Sequence, residues 1–385
     1  MSLTGNWNYP TSVKFGPGRI SELPMHCKAL GIKAPLLVTD PGLAALPMIA
    51  EALENLKSAG LKPGLYSDVR SNPVGANVDK GVSVYWSGGY DGVIAFGGGS
   101  ALDVGKLIAF MSGQTRPIWD FEDIGDWWTR ADPGGIAPII AVPTTSGTGS
   151  EVGRAGVVTD ELTHTKKIIF HPKIMPSIVI CDPELTIGLP PHITAATGMD
   201  ALSHSLEAYC APGFHPLADG VAVEGIRLVK EFLPRAVRDG KDIEARAQMM
   251  AAAAMGATAF QKGLGGMHAL SHPIGALFDT HHGLINAVVM PYVLKFNQSA
   301  IDERIARLAG YMGLQPTFSG FLDWVLELRS EIAIAPDLGK IGVDAARADE
   351  VAAMAILDPS AGGNPIEFTL DNAKTIFSAA FEGRL

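Results

Sequence analysis

The stretch Asp91 to Phe110, D-G-V-I-A-F-G-G-G-S-A-L-D-V-G-K-L-I-A-F, decides the fold. It reads as strand, glycine turn and helix in immediate succession. Its first part, V-I-A-F, is apolar without alternation, as in a strand buried on both faces of a parallel sheet. Repeated strand-to-helix units of this kind build a doubly wound α/β sheet.

Working outward, the same pattern recurs. Upstream, A-P-L-L-V-T-D (residues 34–40) is an apolar run closed by Asp40 and the turn Pro41-Gly42; a helix from about Leu46 to Ala59 then stops at Gly60. L-Y-S-D (65–68) is a short strand, Asn72-Pro73 a break, and Val74 to Ser87 a helix. Before these, Tyr9 to Ile20 is extended and ends in F-G-P-G-R, with a helix starting at Ser21. Downstream, I-A-P-I-I-A-V-P-T-T (136–145) and P-S-I-V-I-C-D (176–182) are two more buried strands. Between them V-G-R-A-G-V-V-T-D and H-T-K-K-I-I-F alternate around a polar turn, the signature of a hairpin. The loop W-D-F-E-D-I-G-D-W-W (119–128) is read as a surface loop packing its own tryptophans.

Beyond Leu189-Pro190-Pro191 no strand pattern remains, only helical periodicities such as Ala218 to Phe232, Ile243 to Gln261 and Glu303 to Met312. The expected architecture is an α/β N-terminal dinucleotide-binding domain with a mostly parallel sheet, residues 1–188, followed by an all-α C-terminal domain, residues 189–385.

Composition narrows the function. Hydrophobic residues are 47% and charged ones 18% of the chain, which is ordinary for a globular protein. The net charge is −10 and no Lys/Arg cluster follows a phosphate backbone, so nucleic acid is excluded as a partner. Three scattered cysteines, Cys27, Cys181 and Cys210, argue against a disulfide framework and for a reducing, cytoplasmic location. The N-terminus shows no export signal, and the most apolar window, Met249 to Phe260, is too short to cross a bilayer, so no membrane partner is expected.

Three elements point to a dinucleotide. Gly97-Gly98-Gly99-Ser100 opens a helix directly after a strand, where free backbone N–H groups and the helix dipole receive a diphosphate. The G-x-G-x-x-G fingerprint is absent; taken alone, the turn also reads as an unliganded corner, with Ser100 and Asp103 as a helix cap. P-T-T-S-G-T-G-S-E (143–151) follows another buried strand and offers five hydroxyls and two glycines to phosphate and ribose. Asp40, at the carboxyl end of an early strand, accepts from ribose hydroxyls and repels a 2′-phosphate, favouring NAD over NADP.

A second constellation points to a metal. Gly263 to Gly283, G-L-G-G-M-H-A-L-S-H-P-I-G-A-L-F-D-T-H-H-G, places four of the ten histidines within fifteen positions. Asp200 and His204, in T-G-M-D-A-L-S-H-S-L-E-A-Y, are four apart and share a helix face, and His268 and His272 repeat that spacing. His282 lies beyond the interruption at Asp279-Thr280 and approaches from another direction. Three imidazoles and a carboxylate suit Zn²⁺ or Fe²⁺. Spacing leaves His281 and His272 open as competing ligands, while His26, His164, His171, His192 and His215 lie near turns and read as structural or solvated.

In this order and spacing, F-G-P-G, G-G-G-S-A-L-D-V-G-K, P-T-T-S-G-T-G-S-E, D-P-E-L-T, G-M-D-A-L-S-H-S-L-E-A-Y and the histidine stretch resemble the iron-dependent (group III) alcohol dehydrogenases, which include lactaldehyde reductase and 1,3-propanediol dehydrogenase. The resemblance implies metal ligands Asp200, His204, His268 and His282, the last because the family's ligand precedes a glycine. It places His272 near the nicotinamide as a proton relay, not a ligand. Gly97, Gly98, Gly99 and Ser100 match the diphosphate loop, Thr144, Thr145 and Thr148 nucleotide contacts, Lys167 a lysine near the nicotinamide ribose, and Asp40 the NAD/NADP discriminator. V-G-R-A-G (152–156) departs from the family, which often has Thr or Ser there. The implied activity is reversible hydride transfer between NAD(H) and a small primary alcohol or aldehyde, with Fe²⁺, or Zn²⁺ on the same ligands, polarising the substrate oxygen. A homodimer or larger homo-oligomer is implied as well. The alternatives are a glycerol-dehydrogenase-like polyol oxidoreductase and, more remotely, a dehydroquinate-synthase-like lyase.

Overall fold

The structure is a computed structural model describing residues 11–163 and 165–385. Tyr9 and Pro10 of the first extended segment, the N-terminus read for an export signal, and His164 lie outside the described residues. The described chain divides into two compact units. One runs to Thr145 and resumes over Gly149–Gly188; the other comprises Ser146–Thr148 and Leu189–Leu385.

In chain order the first unit contains β1 (Ser12–Phe15), α1 (Leu23–Ala29), β2 (Pro35–Val38), α2 (Pro41–Ala44), α3 (Pro47–Ser58), β3 (Gly64–Tyr66), α4 (Gly75–Ser87), β4 (Gly92–Gly97), α5 (Gly99–Met111), β5 (Ile139–Pro143), β6 (Ala155–Asp160), β7 (Thr165–Phe170) and β8 (Ile178–Cys181). Six strands form one sheet in the order β1-β8-β5-β4-β2-β3, with every neighbouring pair parallel. Their side chains alternate between two buried layers. Leu36, Val38 and Val93 pack with Val78 of α4 and Val104 and Ile108 of α5. Leu37, Ile94, Phe96, Ile140 and Val142 pack with Leu23 and Cys27 of α1 and Ile49 and Leu56 of α3. In the four inner strands β2, β4, β5 and β8 neither face meets water, so they carry no polar alternation, whereas the edge strand β1 is largely exposed; each fully buried aliphatic contributes about 1.5–3 kcal/mol. β6 and β7 form the expected antiparallel hairpin, and β6 keeps the alternating burial of a strand with one covered face.

The second unit holds α6 (Pro191–Cys210), α7 (Pro216–Arg238), α8 (Ile243–Ala259), α9 (Gly266–Phe278), α10 (His282–Tyr311), α11 (Phe318–Glu331), α12 (Ala348–Ala355) and α13 (Leu370–Glu382). Pro191 sits in the first turn of α6, where its missing N–H costs nothing. From Thr194 to Cys210 every residue of α6 is buried, and α7, α8 and α10 all pack on it. That explains its Ala, Ser and Gly content, since small side chains let three helices approach one. α10 extends much further upstream than the expected Glu303–Met312 and runs through Pro291, which forfeits one internal hydrogen bond without ending the helix. No described helix is long and apolar enough to cross a membrane.

Candidate functional site

In the sheet unit, the chain leaves β2 for β3 on one side and β4 for β5 on the other, so the strand order reverses between β2 and β4. Ligands of open α/β sheets bind outside the carboxyl ends of strands at such a point. Asp40 follows β2, Gly97–Ser100 end β4 and open α5, and Thr144 and Thr145 follow β5, on three adjacent strands. Gly97 has φ +152°, and a Cβ there would lie 2.7 Å from Ala101 Cβ. Gly98 faces Thr145, whose Cγ2 a Cβ would meet at 3.3 Å. Both positions therefore keep the turn bare and its N–H groups open to an anion. Thr144 N–H donates to the Gly97 carbonyl, 3.0 Å away, tying the two loops together. Asp40 caps α2, its Oδ1 accepting from Leu43 N–H at 3.0 Å.

Reading Ser100 and Asp103 as a cap does not hold. The N-cap is Gly98, Ser100 Oγ donates to the Ser71 carbonyl at 2.5 Å, and Asp103 faces inward. Asp103 accepts from Ser150 Oγ (2.5 Å) and Val157 N–H (3.1 Å), while the fully buried Lys106 donates to the Ser150 (2.9 Å) and Ala155 carbonyls. These two α5 side chains pin the return of the 143–151 stretch, a role that motif matching did not reveal. Lys167 on β7 is held by Asp160 (3.2 Å) and Glu122 (3.4 Å). In the departing segment, a Cβ on Gly156 would meet Leu107 Cγ at 2.7 Å, so close packing on α5 demands the small residue there. Trp128 packs edge-on against Phe170 and His171, which lie outside the 119–128 loop, at the end of β7. Thr148 belongs to the helical unit.

In the helical unit, Asp200, His204, His268 and His282 converge. Each offers one ligand atom, and all four atoms lie within 4.8 Å of one another. An ion 2.0–2.2 Å from each ligand keeps them no more than about 4.4 Å apart, so a cation could gather this set with shifts of tenths of an ångström. α6 supplies Asp200 and His204 from one face, α9 supplies His268, and His282 is the first residue of α10. Between α9 and α10 the chain turns at Asp279, a left-handed residue with φ +51°. His281 is the N-cap of α10. His204 stacks on His268, with ring centroids 4.7 Å apart. His204 is buried, and three imidazoles with one carboxylate are the donor chemistry of a divalent cation site. His282 is the most open of the four, its side chain 24% exposed.

Residues around the set were harder to foresee. Glu207 Oε2 accepts from His268 Nδ1 at 2.6 Å, and its Oε1 accepts from Met267 N–H at 2.6 Å. Glu207 follows His204 by three, so the helical face that carries Asp200 and His204 also signals it. Asp358 Oδ2 pairs with His272 Nδ1 at 2.7 Å, and Ser271 Oγ lies 3.2 Å from His282 Nδ1. His272 thus shares a helix with His268 but is turned to another partner. Burial pushes His204 down to about 4, so its ring stays neutral. Burial opposes the charged form of His268 too, but the Glu207 hydrogen bond and charge outweigh it and raise this group above its ordinary value. Asp358 is held below the usual carboxylate range: burial works against ionisation, and His272 with the Ser360 N–H overcomes it.

Both halves of the chain match models of one family, iron-containing alcohol dehydrogenase over residues 10–183 and the family's C-terminal part over residues 194–381. A 4-hydroxybutyrate dehydrogenase of Cupriavidus necator is 41% identical over 369 residues, covering 93% of this chain and 95% of its own. A crystal structure of 1,3-propanediol oxidoreductase superposes with a TM-score of 0.93 at 35% identity, covering 98% of this chain and 99% of the other. Sulfoacetaldehyde reductase from Bifidobacterium kashiwanohense, solved in complex with NAD⁺, gives a TM-score of 0.88 at 29% identity, with 98% and 99% covered. The parallel sheet, the helical unit and the order of the motifs accord with these likenesses, and the chain belongs to the iron-containing alcohol dehydrogenases.

Proposed function

We propose that this oxidoreductase catalyses reversible hydride transfer between NAD(H) and a small primary alcohol or its aldehyde. In this reading residues 1–188 bind the dinucleotide and 189–385 hold Fe²⁺ on Asp200, His204, His268 and His282. The observation that carries it is the convergence of those four ligand atoms within 4.8 Å on buried helices. Bound there, a divalent cation supplies Lewis acidity to the substrate oxygen. The same donors accept Zn²⁺. Gly97, Gly98, Gly99 and Ser100 receive the diphosphate, Thr144, Thr145, Thr148 and Lys167 serve nucleotide and ribose, and Asp40 disfavours a 2′-phosphate. His272 is the proton relay: Asp358 fixes its Nδ1, leaving Nε2 to take the hydroxyl proton, and a side chain 13% exposed can return it to solvent. The three buried free thiols accord with a cytoplasmic location, and a homodimer or larger homo-oligomer completes the reading. The matched family does not favour the glycerol-dehydrogenase-like or lyase alternatives.

The test is a panel of short aldehydes with NADH and NADPH, run on Fe²⁺- and Zn²⁺-loaded protein. Loss of nicotinamide absorbance with NADH, absent without metal, is expected; no oxidation with any aldehyde would refute the reading.

Protons compete with the metal for these ligands, and the raised His268 takes its proton at higher pH than the lowered His204. Affinity for Zn²⁺ should weaken as pH falls below the His268 transition, by about tenfold per pH unit for one competing proton. His204, held near 4, adds nothing until the solution is strongly acidic. Glu207→Gln removes the charge that favours protonated His268 and should move the onset to lower pH. An unchanged onset in a chelator-competition titration would show that Glu207 does not set it.

A further inference from the structure

α9, which carries His268, begins without a cap of its own. Its N-cap is Gly265, which has no side chain, so the N–H groups of the first turn must find acceptors on other elements. Asn364 Oδ1 accepts from Gly266 N–H at 3.1 Å, and Glu207 Oε1 accepts from Met267 N–H at 2.6 Å. A Cβ at Gly265 would lie 3.0 Å from that Asn364 oxygen and 3.1 Å from Glu207 Oε1, so a side chain there would crowd both acceptors. The other oxygen of Glu207 accepts from His268 Nδ1, also at 2.6 Å, and both side chains of this pair are buried. One carboxylate therefore holds the backbone of Met267 and the ring of the next residue. Because Oε1 is tied to the start of α9, Oε2 is fixed in place behind the ring. A carboxylate only accepts, so Nδ1 must carry the ring proton and Nε2 keeps its lone pair. The nitrogen left for a cation is the one turned away from Glu207.

We infer that Glu207 is a positioning residue for the metal site: held at one oxygen by the start of α9 and at the other by His268 Nδ1, it fixes the tautomer and rotation of the ring so that Nε2 is offered to the cation. A carboxylate behind a ligating imidazole also strengthens its donor nitrogen, and losing such a partner weakens metal binding by about 10–100-fold. α6 thus supplies two ligands and, three residues after the second, the group that aims a third carried by α9.

The inference rests on the reading of Asp200, His204, His268 and His282 as metal ligands, and the experiment separates the two. Zn²⁺ affinity is determined by competition with a chromophoric chelator for the full chain and for Glu207→Met, at alkaline pH where protons do not compete. Methionine keeps the length of the side chain and removes both acceptor oxygens. The Zn²⁺-loaded proteins, with isotopically labelled histidine, are then compared by NMR for their downfield ring N–H resonances. A positioning role predicts about 10–100-fold weaker binding together with loss of one ring N–H resonance that the unsubstituted protein shows. Wild-type affinity in Glu207→Met would overturn the inference while leaving the ligand set intact. Weaker binding with every ring N–H resonance retained overturns it as well, because Glu207 would then act only through the start of α9. If Glu207→Met does not fold, Glu207→Asp, one methylene too short to reach both donors, is judged by the same two readouts. If the unsubstituted protein itself fails to bind Zn²⁺, the ligand reading falls and the inference with it.

Discussion

His268→Ala should lose its metal and turn over at least about 1,000-fold more slowly, a loss of about 4 kcal/mol in transition-state stabilisation. Several features of this side chain set the size of the effect. It is 1% exposed, its Nδ1 is held by Glu207, and its ring lies 4.7 Å from that of His204 and 5.2 Å from that of His282. Alanine removes one of four donors and opens a gap among the others. It also leaves the buried Glu207 carboxylate with the Met267 N–H but without its charged or polar side-chain partner. Stability should fall as well, by about 3–5 kcal/mol if Glu207 stays ionised. Apart from Thr148, the residues proposed to hold NAD lie in the sheet unit, and none of them supplies these atoms, so NAD affinity should change little. Metal analysis of purified protein, with NAD titration and steady-state rates, checks all three. A variant with full metal content and an unaltered rate would remove His268 from the site.

The sheet was legible because its physics is local. P-L-L-V, G-V-I-A-F-G, I-I-A-V-P and I-V-I-C are buried on both faces, so each shows as an uninterrupted apolar run, and glycines mark the corners. The helical unit was legible as helix but not in extent. Pro291 masked the first half of α10, because a proline usually ends a helix and here costs only one bond. The converging set was half legible: spacing put Asp200 with His204 and His268 with His272 on shared faces. Spacing could not show that Asp358 draws off His272, because that contact joins residues 86 apart. It could not separate His281 from His282 either. In three dimensions His282 begins α10 and joins the converging set, while His281 is its N-cap.

Gly283→Ala should impair metal binding almost as severely as loss of a ligand, although the new side chain is one methyl group. A Cβ at Gly283 would overlap the Ala196 carbonyl oxygen and lie 3.0 Å from both the Ala196 carbonyl carbon and Asp200 Cβ. The obstacle is α6 backbone, which has no rotamer to change, so the start of α10 must move away. His282 is the residue before Gly283 and moves with it, and its Nε2 now lies 3.5 Å from Asp200 Oδ1. Metal bonds tolerate about 0.2 Å, so a retreat approaching an ångström breaks the set. The expected result is Zn²⁺ affinity reduced by at least about 100-fold and a fold destabilised by about 1–3 kcal/mol through overpacking. Gly220→Ala on α7 is the control: nothing lies within 4 Å of its Cβ, and the smaller unfolded-state entropy should stabilise the protein by about 0.4–1 kcal/mol. This gives the glycine after His282 a steric cause, the close approach of α10 to α6. Wild-type metal affinity and melting temperature in Gly283→Ala would show that the approach does not control the position of His282.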